Sequence, residues 1–124
     1  MKALLCKEFG PPETLSYEEI EDPVLKEGHI IVDIHSASVN FPDVLMIEDK
    51  YQFKPPLPFA PGGEASGVIS EIGDGVEGFN VGDRVIASSG WGSFAEKILV
   101  DPNALTIIPD QMDHNTACLL YTSD

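Results

Sequence analysis

A chain of 124 residues has room for one domain, and 43% hydrophobic content with 11 Gly and 10 Pro describes a turn-rich globular protein built from short strands. Its 21 acidic residues against 7 basic ones give a formal net charge of −14, too little cation to displace the counterions of a polyphosphate, which excludes nucleic acid and anionic membrane as partners. Two cysteines, Cys6 and Cys118, make no disulfide framework, the apolar run Met1 to Cys6 is too short for a secretion signal, and no stretch approaches the roughly 18 apolar residues of a membrane span, so the expected compartment is the cytoplasm.

Along the chain, Ala3 to Cys6 reads as a first strand, ended by Gly10-Pro11-Pro12. The acidic run Glu18-Glu19-Ile20-Glu21-Asp22 reads as a solvated loop or strand edge. His29 to Val39 is the clearest strand, with Ile30, Val32 and Ile34 on a core face and Ile31, Asp33 and His35 on the other. Phe41 to Glu48 has the apolar spacing of a short helix. Pro42 suits its first turn, where a missing N–H costs nothing, and Asn40 is placed to cap it. Four prolines between Lys54 and Pro61 remove four ladder donors, so that segment is a loop. Ala65 to Ile72, Val81 to Ala87, Ser93 to Val100 and Ala104 to Ile108 follow as closely spaced strands, the pattern of a barrel or sandwich.

Gly73-Asp74-Gly75-Val76-Glu77-Gly78 matches the dinucleotide fingerprint in letters but fails in context. That motif works by opening a helix whose N–H groups face a pyrophosphate, whereas Phe79 to Asp83 leads here into another strand and Asp74 and Glu77 would repel phosphate. A glycine-rich turn is the expectation. Zinc needs converging Cys, His or carboxylate ligands. The sequence has no closely spaced cysteine pair, and His29 and His35 stand about 20 Å apart along one strand, so no metal is expected.

Three blocks together resemble one family: Asn40-Phe41-Pro42-Asp43, Pro61-Gly62-Gly63-Glu64-Ala65-Ser66-Gly67-Val68 and Gly82-Asp83-Arg84-Val85. In order and spacing, over residues 1–117, they are similar to the zinc-independent medium-chain dehydrogenase/reductases of the quinone oxidoreductase, or zeta-crystallin-like, branch. Zinc-dependent alcohol dehydrogenases of the same superfamily carry a Cys where Asn40 stands, a His where Gly63 stands, and a four-cysteine lobe after the Gly-Asp-Arg-Val turn. Here Ala87 to Glu96 contains no cysteine.

The resemblance implies a mainly β, GroES-like distorted antiparallel barrel with short helices over residues 1–117, with the Rossmann cofactor domain of such enzymes absent from this chain. It further implies a parent enzyme, a homodimer, in which NADPH delivers hydride to a small-molecule quinone or conjugated carbonyl without metal, while the fragment itself is inactive. Hydrogen-bond donors must then meet the charge developing on the carbonyl oxygen. Asn40 is the first candidate, as a donor to substrate oxygen or cofactor ribose or else as the helix cap. Tyr51 lies where the family often has a pocket tyrosine, with loop packing as its other reading. Phe41 lines the substrate pocket or the core, Asp43 orients neighbouring backbone, and Leu45 replaces a frequent family tyrosine, which implies a more apolar pocket. Glu64 is expected to be structural, accepting hydrogen bonds or pairing with Arg84, and Trp91 to sit on a hairpin edge. An enoyl-thioester reductase fragment and a free-standing GroES-like binding module are the competing readings. Cys118 to Asp124 resembles an in-frame translation of a transposase-end sequencing adapter.

Overall fold

Glycines and prolines cut the sequence into short extended segments, and the fold assembles these into two antiparallel sheets. The computed structural model describes residues 1–38, 41–50 and 55–108, and of Phe41 and Pro42 the backbone alone. Asn40, Tyr51 and the heptad 118–124 lie outside the described residues.

Strands β1 (Lys2–Leu5) and β2 (Ser16–Glu19) form a two-stranded sheet, with Leu4 opposite Tyr17. Strands β3 (Ile30–Ser38), β4 (Glu64–Ile72), β5 (Arg84–Ser88), β6 (Lys97–Val100) and β7 (Leu105–Ile107) form a second sheet in the order β6-β3-β4-β5-β7, every pair antiparallel. A seven-residue helix, α1 (Phe41–Ile47), lies between β3 and β4 in sequence. No described helix is long and apolar enough to cross a membrane.

The mainly β composition with short helices matches the expectation from the family resemblance, but the distorted barrel does not. Closing a sheet requires its first and last strands to pair. Here β6 and β7 are opposite edges with three strands between them, and no ladder joins them among the described residues. Among the described residues no ladder joins the smaller sheet to the larger; β1 meets the segment before β6 at the Ala3–Ala95 bridge and through backbone hydrogen bonds such as Leu4 N–H to the Phe94 carbonyl at 2.8 Å. Both sheets are therefore open.

Alternation along the strands supplies the main core: Ile30, Val32, Ile69, Val85, Ala87, Ile98, Val100 and Leu105 form one buried cluster. Ile31, expected on the outer face of β3, is buried as well. Register shifts in the β3–β4 ladder, at Ile31/Val32 and Ile34/Ser36, interrupt the simple two-residue period on which that expectation rested. A second cluster, Cys6, Met46, Ile47 and Phe59, seats α1 against the end of β1. Cys6 and Phe59 exchange backbone hydrogen bonds of 2.7 and 3.1 Å there.

Of the two readings of the acidic run, a solvated loop or a strand edge, the second holds for its first residues. Glu18 and Glu19 belong to β2. Glu18 pairs with Lys7 at 2.9 Å, while the Met1 ammonium meets Glu19 at 3.3 Å and Asp22 at 2.9 Å. Residues 73–78 form the turn region between β4 and β5 with no helix, as expected, and Gly75 and Gly78 take φ of 86°.

Candidate functional site

Asp43 of the first family-like block and Gly63 of the second meet where α1 approaches the start of β4, while the third block, Gly82 to Val85, pairs further along β4 at Gly67 to Ile69. Asp43, in the first turn of α1, is buried at 4% exposure, and its Oδ1 accepts the Gly63 N–H at 3.1 Å. A carboxylate on a backbone donor from a distant segment fixes the helix start relative to the loop, because withdrawing either partner leaves a buried polar group unpaired. The Asp43 contact therefore ties the start of α1 to the Gly63 backbone.

The loop itself is held from its other side. Gly92 N–H donates to the Ala60 carbonyl at 2.7 Å, Phe94 to Pro61 at 3.0 Å, Ser93 to Gly62 at 3.0 Å and Ser89 to Gly63 at 2.8 Å. Residues 60–63 are clamped along their length by 89–94, so the glycine-rich block is a fixed platform. Gly62 has φ of 98°, and a Cβ there would lie 2.6 Å from the Phe94 ring, so its lack of a side chain is doubly required. Gly63 is different: a Cβ would meet Gly90 O at 3.4 Å and Asp43 Oδ1 at 3.8 Å.

Glu64 opens β4, opposite Ser38 of β3 and Ser88 of β5. The expected Arg84 pairing does not follow from this register, since Arg84 stands opposite Val68, four residues further along β4. Glu64 Oε2 is instead buried without a hydrogen-bond partner among the described residues. Burial, and secondarily the Asp43 charge, push the Glu64 carboxyl above the usual carboxylate range. The sequence held a signal for this: no Lys or Arg occurs between Lys54 and Arg84.

Leu45 is half-buried on α1. Trp91 is no loose hairpin edge, since it packs against the Cys6–Phe59 cluster with its ring edge-on to Phe59 at 6.2 Å. A cavity of about 520 Å³ lies beyond that pair, lined by Leu5, Phe59, Trp91, Ile98 and Val100 among others, but not by Asp43, Gly63 or Glu64. Ser88 and Ser89, which neighbour Glu64 and Gly63, also line this hollow, so it borders the candidate site without including its carboxyls. His35 is exposed on β3, and His29 precedes that strand with Nδ1 3.1 Å from the Glu27 carbonyl. No three His, Cys, Asp or Glu side chains among the described residues are grouped to hold a metal ion.

Comparison with known proteins agrees with this arrangement. Residues 26–110 match the alcohol dehydrogenase GroES-like domain. The chain is 38% identical over 122 residues to quinone oxidoreductase-like protein 2 of Mus musculus, covering 98% of the chain and 34% of that protein. It superposes with a TM-score of 0.90 and 38% identity on a probable oxidoreductase from Mycobacterium abscessus, covering 97% of this chain and 38% of that one. With Escherichia coli quinone oxidoreductase, solved in complex with NADPH, the TM-score is 0.89 at 27% identity, covering 95% of this chain and 36% of that one. The chain thus spans about a third of the length of the curated relatives it matches. Matched family, relatives and site together show that the chain belongs to the alcohol dehydrogenase GroES-like domain family, and within it is related to the zinc-independent quinone oxidoreductases of the zeta-crystallin-like branch.

Proposed function

We propose that this chain is the substrate-side domain of an NAD(P)H-dependent oxidoreductase that transfers hydride to a quinone or conjugated carbonyl without metal. The observation that carries the reading is the near-complete match of the chain to quinone oxidoreductase-like relatives, combined with Asn40 and Gly63 at the two positions where the zinc enzymes of the superfamily place ligands.

The site's own chemistry limits what this domain can hold. Asp43 and Glu64 are its ionisable groups among the described residues, and neither suits a pyrophosphate. The fit is to an uncharged end, the nicotinamide or the substrate ring, so the phosphates must be bound by another part of the parent protein. The cofactor supplies the hydride when bound, and the protein's contribution is orientation and polarity. In this reading Asn40 and Tyr51 donate hydrogen bonds to the reducible carbonyl, while Phe41 and Leu45 form an apolar wall. Asp43, through the Gly63 amide, keeps that wall in register with β4.

The test is NADPH oxidation by the full-length parent with a para-quinone, in the presence of a metal chelator. Turnover that survives the chelator and falls at least about tenfold in Asn40→Ala is the expected result, the scale on which loss of one preorganised donor acts. Turnover abolished by the chelator and restored by zinc would refute the reading. The isolated 124-residue chain should show no steady NADPH oxidation.

A further inference from the structure

We propose that Glu64 is a proton-holding positioning residue: its carboxyl stays protonated beside Asp43, so that the pair presents one negative charge rather than two to the candidate site. This rests on the hydride-transfer reading above for its role in catalysis, but not for the proton itself.

Three observations meet at this residue. Glu64 Oε2 is buried and accepts no hydrogen bond from the described residues. A carboxylate oxygen without a donor is costly to bury, whereas a protonated carboxyl sheds the charge that creates most of the cost. Asp43 is buried at 4% exposure with Oδ1 committed to the Gly63 N–H, so the neighbouring acid has a donor of its own. The elements packed around Glu64 bring no counter-charge from the described residues. β3 places Ser38 and β5 places Ser88 opposite it, the segment after β5 brings Ser89 and Gly90 to the neighbouring Gly63 carbonyl, and α1 adds Asp43, whose negative charge acts on it. Lys97 is engaged with Asp33 at 3.5 Å. Arg84 lies four residues along β5 from Ser88, about 13 Å at the rise of an extended strand. Burial and the Asp43 charge act in the same direction, so the proton is held where exposed carboxyls have lost theirs.

The consequence for chemistry is electrostatic. Hydride transfer to a carbonyl places negative charge on its oxygen, and a second full anion in the adjoining wall would oppose it in a poorly solvated site. A neutral Glu64 removes that opposition without removing the side chain that fills the start of β4. Loss of its proton at higher pH restores the repulsion.

The linkage has a definite sign. A carboxyl held above its unfolded value contributes stability fully below that unfolded value and loses the contribution as pH rises through the folded one. Glu64→Gln, which is neutral at every pH, should therefore match the unsubstituted chain in acid and become the more stable of the two as pH rises. An ion-paired or well-solvated Glu64 would give the reverse or no trend, and either result overturns the proposal.

The direct experiment is a carboxyl-carbon NMR titration of the 124-residue chain labelled at glutamate. One resonance should titrate at higher pH than the others, disappear in Glu64→Gln and move toward the others in Asp43→Asn. Glutamates that all titrate together would overturn the shared proton, and no substituted chain is needed to see that. For the positioning role, kcat of the parent with a quinone should fall as pH rises, and Glu64→Gln should flatten that fall with KM unchanged. A profile unaltered by Glu64→Gln overturns the positioning role. A parent with no reductase activity overturns the function proposed above and the positioning role with it, while the NMR result stands independently.

Discussion

Replacing Gly67 with alanine probes why this glycine stands inside a strand, where a residue without a side chain ordinarily weakens the sheet. Gly67 faces Ile34 on β3 and Val85 on β5, beside the register shift that leaves His35 as the extra residue of β3. A Cβ there would lie 2.1 Å from the Asp33 carbonyl oxygen, 2.9 Å from its carbon and 2.9 Å from Val32 Cγ1. The first two are backbone atoms of the central strand pair and cannot rotate away, so β3 and β4 must part. Overpacking typically costs about 1–3 kcal/mol, and this contact belongs at the top of that range. The alanine returns about 0.4–1 kcal/mol by restricting the unfolded chain, leaving a net loss of about 2–3 kcal/mol. That is a large share of the roughly 5–15 kcal/mol that holds a domain folded.

The assay is urea unfolding followed by the fluorescence of Trp91, the chain's single tryptophan. The midpoint should fall with little change in slope. Gly63→Ala is the control: its Cβ would meet nothing nearer than 3.4 Å, and its φ is not in the left-handed region, so its stability should hold or rise by up to about 1 kcal/mol. A Gly67→Ala chain as stable as Gly63→Ala would refute the close-approach argument.

Other substitutions separate packing from polar anchoring. Asp43→Ala leaves the Gly63 N–H without its acceptor and should cost about 1–3 kcal/mol, with faster hydrogen exchange at the Gly63 amide as the local signature. Phe59→Ala empties the centre of the cluster under α1 and should cost about 3–5 kcal/mol. It should also shift Trp91 emission to the red, because the ring edge-on to Trp91 is lost. An unshifted spectrum would place Trp91 outside that cluster.

The strands were legible where a buried face alternates with an exposed one and where glycine or proline marks each end. β3, β4 and the short helix behave this way, and the observed bounds differ from the expected ones by a few residues. β2 was not legible. Its apolar content is slight, and its pairing depends on contacts with Met1 and Lys7 near the start of the chain. Sheet closure was also beyond the sequence pattern, because alternation determines which face is buried but not whether distant edge strands meet. At the site, the Asp43 hydrogen bond to the Gly63 amide joins residues 20 apart in sequence, a contact no local pattern announces. Glu64 was misassigned, since pairing by charge alone ignores that strand register carries Arg84 four residues away.

The open edges have a physical consequence of their own. β7 has three residues, two of them exposed, and Ile107 is 52% exposed on a strand that pairs on one side only, with β5. Such an edge is a template for a second strand unless charge or geometry protects it. β6 carries Lys97 at the other edge, but β7, Leu105–Ile107, contains no charge. At neutral pH the overall charge of −14 opposes the approach of a second copy. That repulsion vanishes near the isoelectric point of about 4.3. Light scattering should therefore show the chain monodisperse at neutral pH and increasingly self-associated as pH falls toward 4.3. Ile107→Lys should restore the monomer there, by placing a charge on the exposed edge. Self-association that is indifferent to pH, or that Ile107→Lys leaves unchanged, would show that β7 is not the contact and that the edge is protected by something other than net charge.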